Sequence, residues 1–149
     1  MKKINDYRKL LGVTKDADLK ELKTIYRNAM KETHPDKVYE SEELKLEAEA
    51  KSTAIIEAYH FLVSIAPETL EQTKVEFEET ITTSGLVDFN YEKQTLKVIF
   101  ANGNTYEFFG VPHNIYHKMV NSGGYARFVR RHVAGSYVYR SAFKQVASN

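Results

Sequence analysis

The side chains best placed to do chemistry fall in two stretches. His34-Pro35-Asp36 sets an imidazole and a carboxylate on either side of a proline. The proline ring fixes its own φ, so the two groups are presented with little freedom. Near the other end, Arg127, Arg130 and Arg131 follow a stretch in which no acid occurs after Glu107. Planar guanidinium forks without acidic neighbours suit phosphate. Lys97, Tyr106 and Phe108 lie just upstream. Aromatic rings beside a lysine on an open sheet face would make a base-stacking platform; covered by helices, the same rings would be core.

Catalytic patterns are weak. His113 and His117 stand four apart, a metal-compatible spacing, but no third ligand accompanies them. Ser122 and Ser136 have no histidine that spacing would pair with them, and Gly123-Gly124 is a helix breaker rather than a phosphate loop. The chain has no cysteine, which excludes disulfides and thiolate chemistry. The expectation is a binding protein, with no catalytic residue, metal or cofactor.

The elements that must position these groups differ between the halves. Residues 1–79 carry 13 basic and 17 acidic side chains, and residues 80–149 carry eight and three, so opposite charges point to two modules with different partners. Leu19, Leu22, Tyr26, Ala29 and Met30 share one side of a helix, with Lys20, Lys23, Arg27 and Lys31 as a basic stripe beside it. Asp18 and Glu21 have the spacing of a capping box, and Pro35 stops the helix near Thr33. A second helix fits residues 42–63, with Leu44, Ala48, Ile55, Tyr59 and Leu62 inward. Tyr7, Leu10 and Leu11 suit a short helix packed across this hairpin. Residues 68–79 hold five glutamates and one lysine and read as a solvated helical linker.

Beyond it the period changes to two. Val87, Phe89 and Tyr91 alternate with polar residues, as do Leu96, Val98 and Phe100. Asn102-Gly103 predicts a two-residue hairpin turn, which would set Ile99 opposite Tyr106 and Lys97 opposite Phe108. A three-stranded antiparallel sheet and two helices follow, over residues 112–120 and 125–133. The last helix is expected to carry Tyr125, Phe128, Val129 and His132 on one side and the three arginines on the other. The fold class is α+β, divided as 1–67, a 68–83 linker, 84–142 and a 143–149 tail.

The order Asp6-Tyr7, Leu11-Gly12-Val13, Tyr26-Arg27, His34-Pro35-Asp36-Lys37, Glu57-Ala58-Tyr59 and Leu62 resembles the J-domain of DnaJ-type co-chaperones. The resemblance implies docking on a DnaK-type chaperone and stimulation of its ATP hydrolysis. His34, Pro35 and Asp36 would act in the loop, and Lys20, Lys23, Arg27 and Lys31 on the basic helix. Three positions depart from the family's habit. Ser52 replaces a common aromatic residue, and Asn28 and Glu32 replace common bases, which is expected to weaken the core and the stripe. No Gly/Phe-rich region and no cysteine-rich zinc module follows.

Residues 84–142 look like the KTSC domain, named for the C-termini of some lysyl-tRNA synthetases. The matching residues are Gly103-Asn104-Thr105-Tyr106-Glu107-Phe108, Val111-Pro112, Tyr116, Gly124-Tyr125 and Tyr137-Val138-Tyr139-Arg140. RNA binding has been suggested for that family, with Lys97, Tyr106, Phe108, Arg127, Arg130 and Arg131 as the candidates here. The leading expectation is a co-chaperone with a C-terminal targeting module. The alternative is an RNA- or ribosome-associated protein whose J-like half only docks or supports. Lys2-Lys3 precedes no apolar run, and no stretch approaches the ~18 apolar residues of a membrane span. A cytoplasmic monomer without a membrane partner is expected.

Overall fold

The computed structural model describes residues 2–33 and 40–142. They form two compact units, Lys2–Thr69 and the residues from Leu70 onward.

The first unit is helical: α1 (Lys2–Leu11), α2 (Leu19–Thr33) and α3 (Glu42–Ser64), with α3 packed on both others. Its core draws Ile4 from α1, Leu22 from α2 and Ile55, Ala58, Phe61 and Leu62 from α3. The α3 residues recur at helical spacing, so they form one buried stripe. The start of α2 is held twice. The Asp18 carboxylate accepts the Glu21 N–H at 2.8 Å, and the Glu68 carboxylate accepts the Leu19 N–H at 3.2 Å. Negative charge there also suits the positive end of the helix dipole. At α3, Ser41 Oγ accepts the Leu44 N–H at 3.1 Å.

Two residues expected inside are outside. Leu10 is 45% exposed and Leu44 is 44% exposed. The ten-residue α1 buries only a narrow strip, Ile4 and Leu11. Leu44 lies in the first turn of α3, ahead of Ala48, the first residue of that helix to be buried.

Helix α4 (Pro67–Thr83) opens with a proline, whose missing N–H costs nothing in a first turn. Its glutamates are exposed, but Phe77, Thr80 and Ile81 are buried in the second unit. A stretch that composition marks as solvated is thus amphipathic at its C-terminal end.

The second unit is an antiparallel sheet of four strands in the order β1 (Leu86–Glu92), β2 (Thr95–Phe100), β3 (Thr105–Phe109) and β4 (Val138–Ala142). The sequence pattern predicts three strands; β4 is the addition. It pairs with β3 across a long connection containing α5 (His113–Val120) and α6 (Tyr125–Phe128). A five-residue strand with so distant a partner leaves no local hairpin signal.

The turns decide which side chains face inward. Lys93 and Gln94, at φ 50° and 63°, make the two-residue turn between β1 and β2. The β2–β3 loop is longer than expected. The Phe100 N–H donates to the Asn104 carbonyl, and the Gly103 N–H donates to the Phe100 carbonyl, both at 2.9 Å. Gly103 takes φ 92°, the left-handed position of a three-residue loop. Thr80 of α4 holds this loop, its hydroxyl oxygen accepting from the side-chain amides of Asn102 and Asn104, each at 2.9 Å.

That one extra residue moves the register by one. Val98 lies opposite Tyr106, Leu96 opposite Phe108 and Lys97 opposite Glu107. A one-residue slip sends every side chain to the other face. Tyr106 and Phe108 therefore join Leu96, Val98 and Phe100 in the core, with Phe77 of α4 edge-on to Tyr106 at 4.9 Å.

Candidate functional site

Each unit carries a basic surface. On the first, Lys20, Lys23, Arg27 and Lys31 are all exposed along α2. Lys23, Arg27 and Lys31 border a groove of about 610 Å³ with Tyr26, Met30 and Tyr59. The rings of Tyr26 and Tyr59 stack at 4.1 Å, tying α2 to α3. Tyr26, Met30 and Tyr59 are half-buried rather than part of a sealed stripe. Their periodicity alone does not separate a groove wall from core. The groove thus offers apolar contact between cations.

His34, Pro35 and Asp36 lie outside the described residues. The residue just before them is well anchored. The Thr33 hydroxyl donates to the Ala29 carbonyl at 3.0 Å, and Ser52 Oγ of α3 donates to the Thr33 carbonyl. Ser52 Oγ also lies 3.1 Å from Thr33 Oγ1. Ser52 is 3% exposed. The expected weakening at Ser52 has a polar counterpart: a small hydroxyl reaches the last carbonyl of α2, as a large ring in its place would not.

On the second unit the aromatic platform is not formed. Tyr106 is 1% exposed and Phe108 0%, so neither can stack on a base without unfolding. Burial pushes the Tyr106 phenol above its ordinary pKa, the Thr80 hydroxyl pulls it down, and the Glu76 carboxylate raises it again. Lys97 is exposed on the opposite face, across from Glu107, which pairs with Arg140 at 3.3 Å. The one-residue register change thus separates Lys97 from both rings.

The three arginines do converge. Arg127, Arg130 and Arg131 line a cleft of about 670 Å³ with Leu86, Ser122–Ala126, Phe128 and His132. The chain leaves α-helical geometry here, and Val129–Val133 forms a π turn closed by the Ala134 N–H on the Val129 carbonyl at 2.8 Å. A π turn packs more residues into each revolution, so neighbours along the chain diverge less. Val129 and Val133 stay buried, while Arg130, Arg131 and His132 between them all reach the cleft. This corrects the expected division of the helix: His132 and Tyr125 stand with the arginines. Regular helical periodicity does not anticipate a π turn.

His113 and His117 are exposed, with ring centroids 4.8 Å apart. Among the described residues no group of three or more His, Asp or Glu is placed to hold a metal ion, and no helix is long and apolar enough to cross a membrane.

Comparison with known proteins matches residues 6–68 to the DnaJ domain and residues 85–137 to the KTSC domain. The first region is 47% identical over 60 residues to a tetratricopeptide repeat and J domain-containing co-chaperone of Fusarium oxysporum f. sp. lycopersici, covering 40% of this chain and 12% of that protein. It is 48% identical over 58 residues to the chaperone protein DnaJ of Mesomycoplasma hyopneumoniae, covering 38% and 16%. Against the chaperone protein DnaJ of Thermotoga maritima it is 41% identical over 61 residues, covering 41% and 16%. The chain thus spans less than a fifth of the length of these relatives.

Proposed function

With a DnaJ domain at residues 6–68 and a KTSC domain at residues 85–137 as the premise, we propose that the chain is a J-domain co-chaperone. In this reading it docks on a DnaK-type chaperone in the cytoplasm and stimulates ATP hydrolysis there. The observation that carries the reading is the α2 groove. Lys23, Arg27 and Lys31 edge an apolar strip made by Tyr26, Met30 and Tyr59, and α2 carries the chain to Thr33, next to His34 in sequence. Exposed cations steer an acidic partner onto the face, and the strip supplies contact area once it arrives. Asp36 and His34 then present hydrogen-bonding groups to the partner. The bond cleaved is in the partner's nucleotide, so this chain needs no catalytic residue.

The test is single-turnover ATP hydrolysis by a DnaK-type chaperone with the full chain added. Acceleration is expected, and His34→Gln or Asp36→Asn should abolish it while the circular dichroism spectrum stays unchanged. Undiminished acceleration by both variants would refute the loop's role. The KTSC-containing unit is then a targeting module, joined to the docking unit so that the chaperone works where that module binds.

A further inference from the structure

We propose that His113 and His117 form a two-imidazole site for a divalent transition metal ion on the exposed side of α5. The site uses none of the residues of the α2 groove or of the arginine cleft. The sequence shows only a spacing of four between the two histidines. The structure adds where their rings stand and what holds them.

Three observations carry it. First, both side chains are exposed, with ring centroids 4.8 Å apart and ring planes at 82°. A metal ion about 2.1 Å from a ring nitrogen stands about 3.2 Å from the centroid of that ring. Two imidazoles meeting at about 97° on one ion would then have centroids 4.8 Å apart, the separation found. That angle lies between the right angle of a tetragonal site and the tetrahedral angle, and each ring can turn about its bond to the metal. Second, among the described residues neither imidazole has a hydrogen-bond or ion-pair partner, so its nitrogens are not already engaged. Third, α5 is held firmly where the pair sits. Tyr91 and Tyr116 stack at 4.3 Å and 7°, and the His113 ring lies 6.2 Å from the first and 6.5 Å from the second. The Tyr91 hydroxyl donates to the Val111 carbonyl at 2.7 Å, two residues ahead of His113. Met119, fully buried, fixes the last turn of the helix. Ligands carried on a held helix lose little freedom when an ion arrives.

The donor set decides the class of ion. Imidazole nitrogen suits copper, nickel and zinc, whereas magnesium and calcium take oxygen ligands. Affinity for such a site rises along the first row toward copper, so Cu(II) should bind most tightly. Among the described residues no third His, Asp or Glu completes the set. Water fills the remaining positions, so the ion is exchangeable and stays open to a further donor.

The test is titration of the full chain with Cu(II) in a buffer that does not coordinate metal, read by isothermal calorimetry and by electron paramagnetic resonance. Binding is expected, with hyperfine splitting from two nitrogens, and Mg(II) should not compete. His113→Asn and His117→Asn should each weaken binding about a hundredfold, because the helix gives the second imidazole a high effective concentration. The paired substitution His117→Asn with Lys118→His keeps the number of histidines. It sets the second imidazole about 140° round the helix from His113, and it should weaken binding as much as His117→Asn alone. His60→Asn removes an exposed histidine from the other unit and should leave the affinity unchanged. Thermal melting should match the wild type in every variant, since the substituted side chains are exposed. Four outcomes overturn the proposal: unchanged affinity in either single variant of the pair, full affinity in the paired substitution, splitting from one nitrogen only, or a His60→Asn loss equal to that of His117→Asn.

Discussion

The two basic surfaces of this chain rest on different foundations. The α2 stripe sets three lysines and Arg27 along a regular helix and borders an apolar strip, with Tyr26 stacked on Tyr59. The second surface takes Arg127 from α6 and Arg130, Arg131 and His132 from the π turn, and its cleft is walled by backbone glycines and one open ring. Lysine on a straight helix gives diffuse charge for steering, whereas clustered guanidinium groups give directional contacts. The first arrangement sets apolar area between its cations, whereas the second leaves an open cleft between its donors. Similar charge therefore says little about partner class until the material between the charges is known.

The largest effect should come from removing the foundation of the second surface. Phe108 is 0% exposed at the centre of the sheet, and Phe108→Ala leaves a ring-sized cavity. A loss of about 3–5 kcal/mol is expected. Chemical denaturation should show this destabilisation, and ATPase stimulation measured below the transition should persist. Stimulation that disappears in step with the sheet would mean that the two surfaces are not independent.

The helical unit is the more legible of the two because its information is local. Asp18 and Glu21 mark the start of α2 within a few residues, and the Asp18 carboxylate accepts the Glu21 N–H there. The sheet unit depends on an interaction that no local pattern contains. Thr80 lies 22 and 24 residues from Asn102 and Asn104, yet its hydroxyl helps set the length of their loop. The length of that loop fixes the register, and the register decides whether Tyr106 is a platform or core. The charges of the second cleft are visible in the sequence as a cluster, but not their company. His132 joins them through a π turn and Tyr125 from the start of α6, and Gly123-Gly124, legible as a break, is also a wall.

A smaller effect tests the foundation of the first surface. Ser52→Ala removes the hydroxyl that reaches the Thr33 carbonyl and leaves that buried acceptor short of a donor. A cost of about 1–3 kcal/mol is expected in a urea midpoint. Thr53→Ala, on the exposed side of α3, should be nearly neutral. Equal costs would show that the Ser52 hydrogen bond contributes nothing specific.

The steering role of the stripe can be separated from its contact role by salt. Arg27 stands between Lys23 and Lys31 at the groove edge. Arg27→Ala should slow association with a DnaK-type chaperone several-fold at low ionic strength. The deficit should shrink as the screening length falls toward about 3 Å at molar salt. Stopped-flow association at two salt concentrations reads this directly. A deficit independent of salt would assign Arg27 to contact rather than to steering.

The smallest effect concerns three phenols of the sheet unit, Tyr106 buried and Tyr91 and Tyr139 half-buried. Burial raises the pKa of Tyr106, Tyr91 and Tyr139 above the ordinary value, so the folded state resists their ionisation. Above the unfolded value of about 10, the unfolded chain loses these protons first. Stability from these groups is therefore complete below that pH and falls as pH rises through the higher folded values. Tyr106→Phe keeps the ring that packs against Phe77 and Phe100 and deletes one of the three protons at issue. The variant should lose less stability than the wild type between about pH 9 and about pH 11, on top of a constant offset at every pH for the lost hydrogen bond with the Thr80 hydroxyl. Denaturant midpoints at the two pH values give the comparison. Parallel losses in both proteins would mean that Tyr106 ionises no later in the fold than in the unfolded chain. Its hydroxyl would then have to reach water in the folded protein, and the closed sheet face that excludes it from base stacking would have to be open.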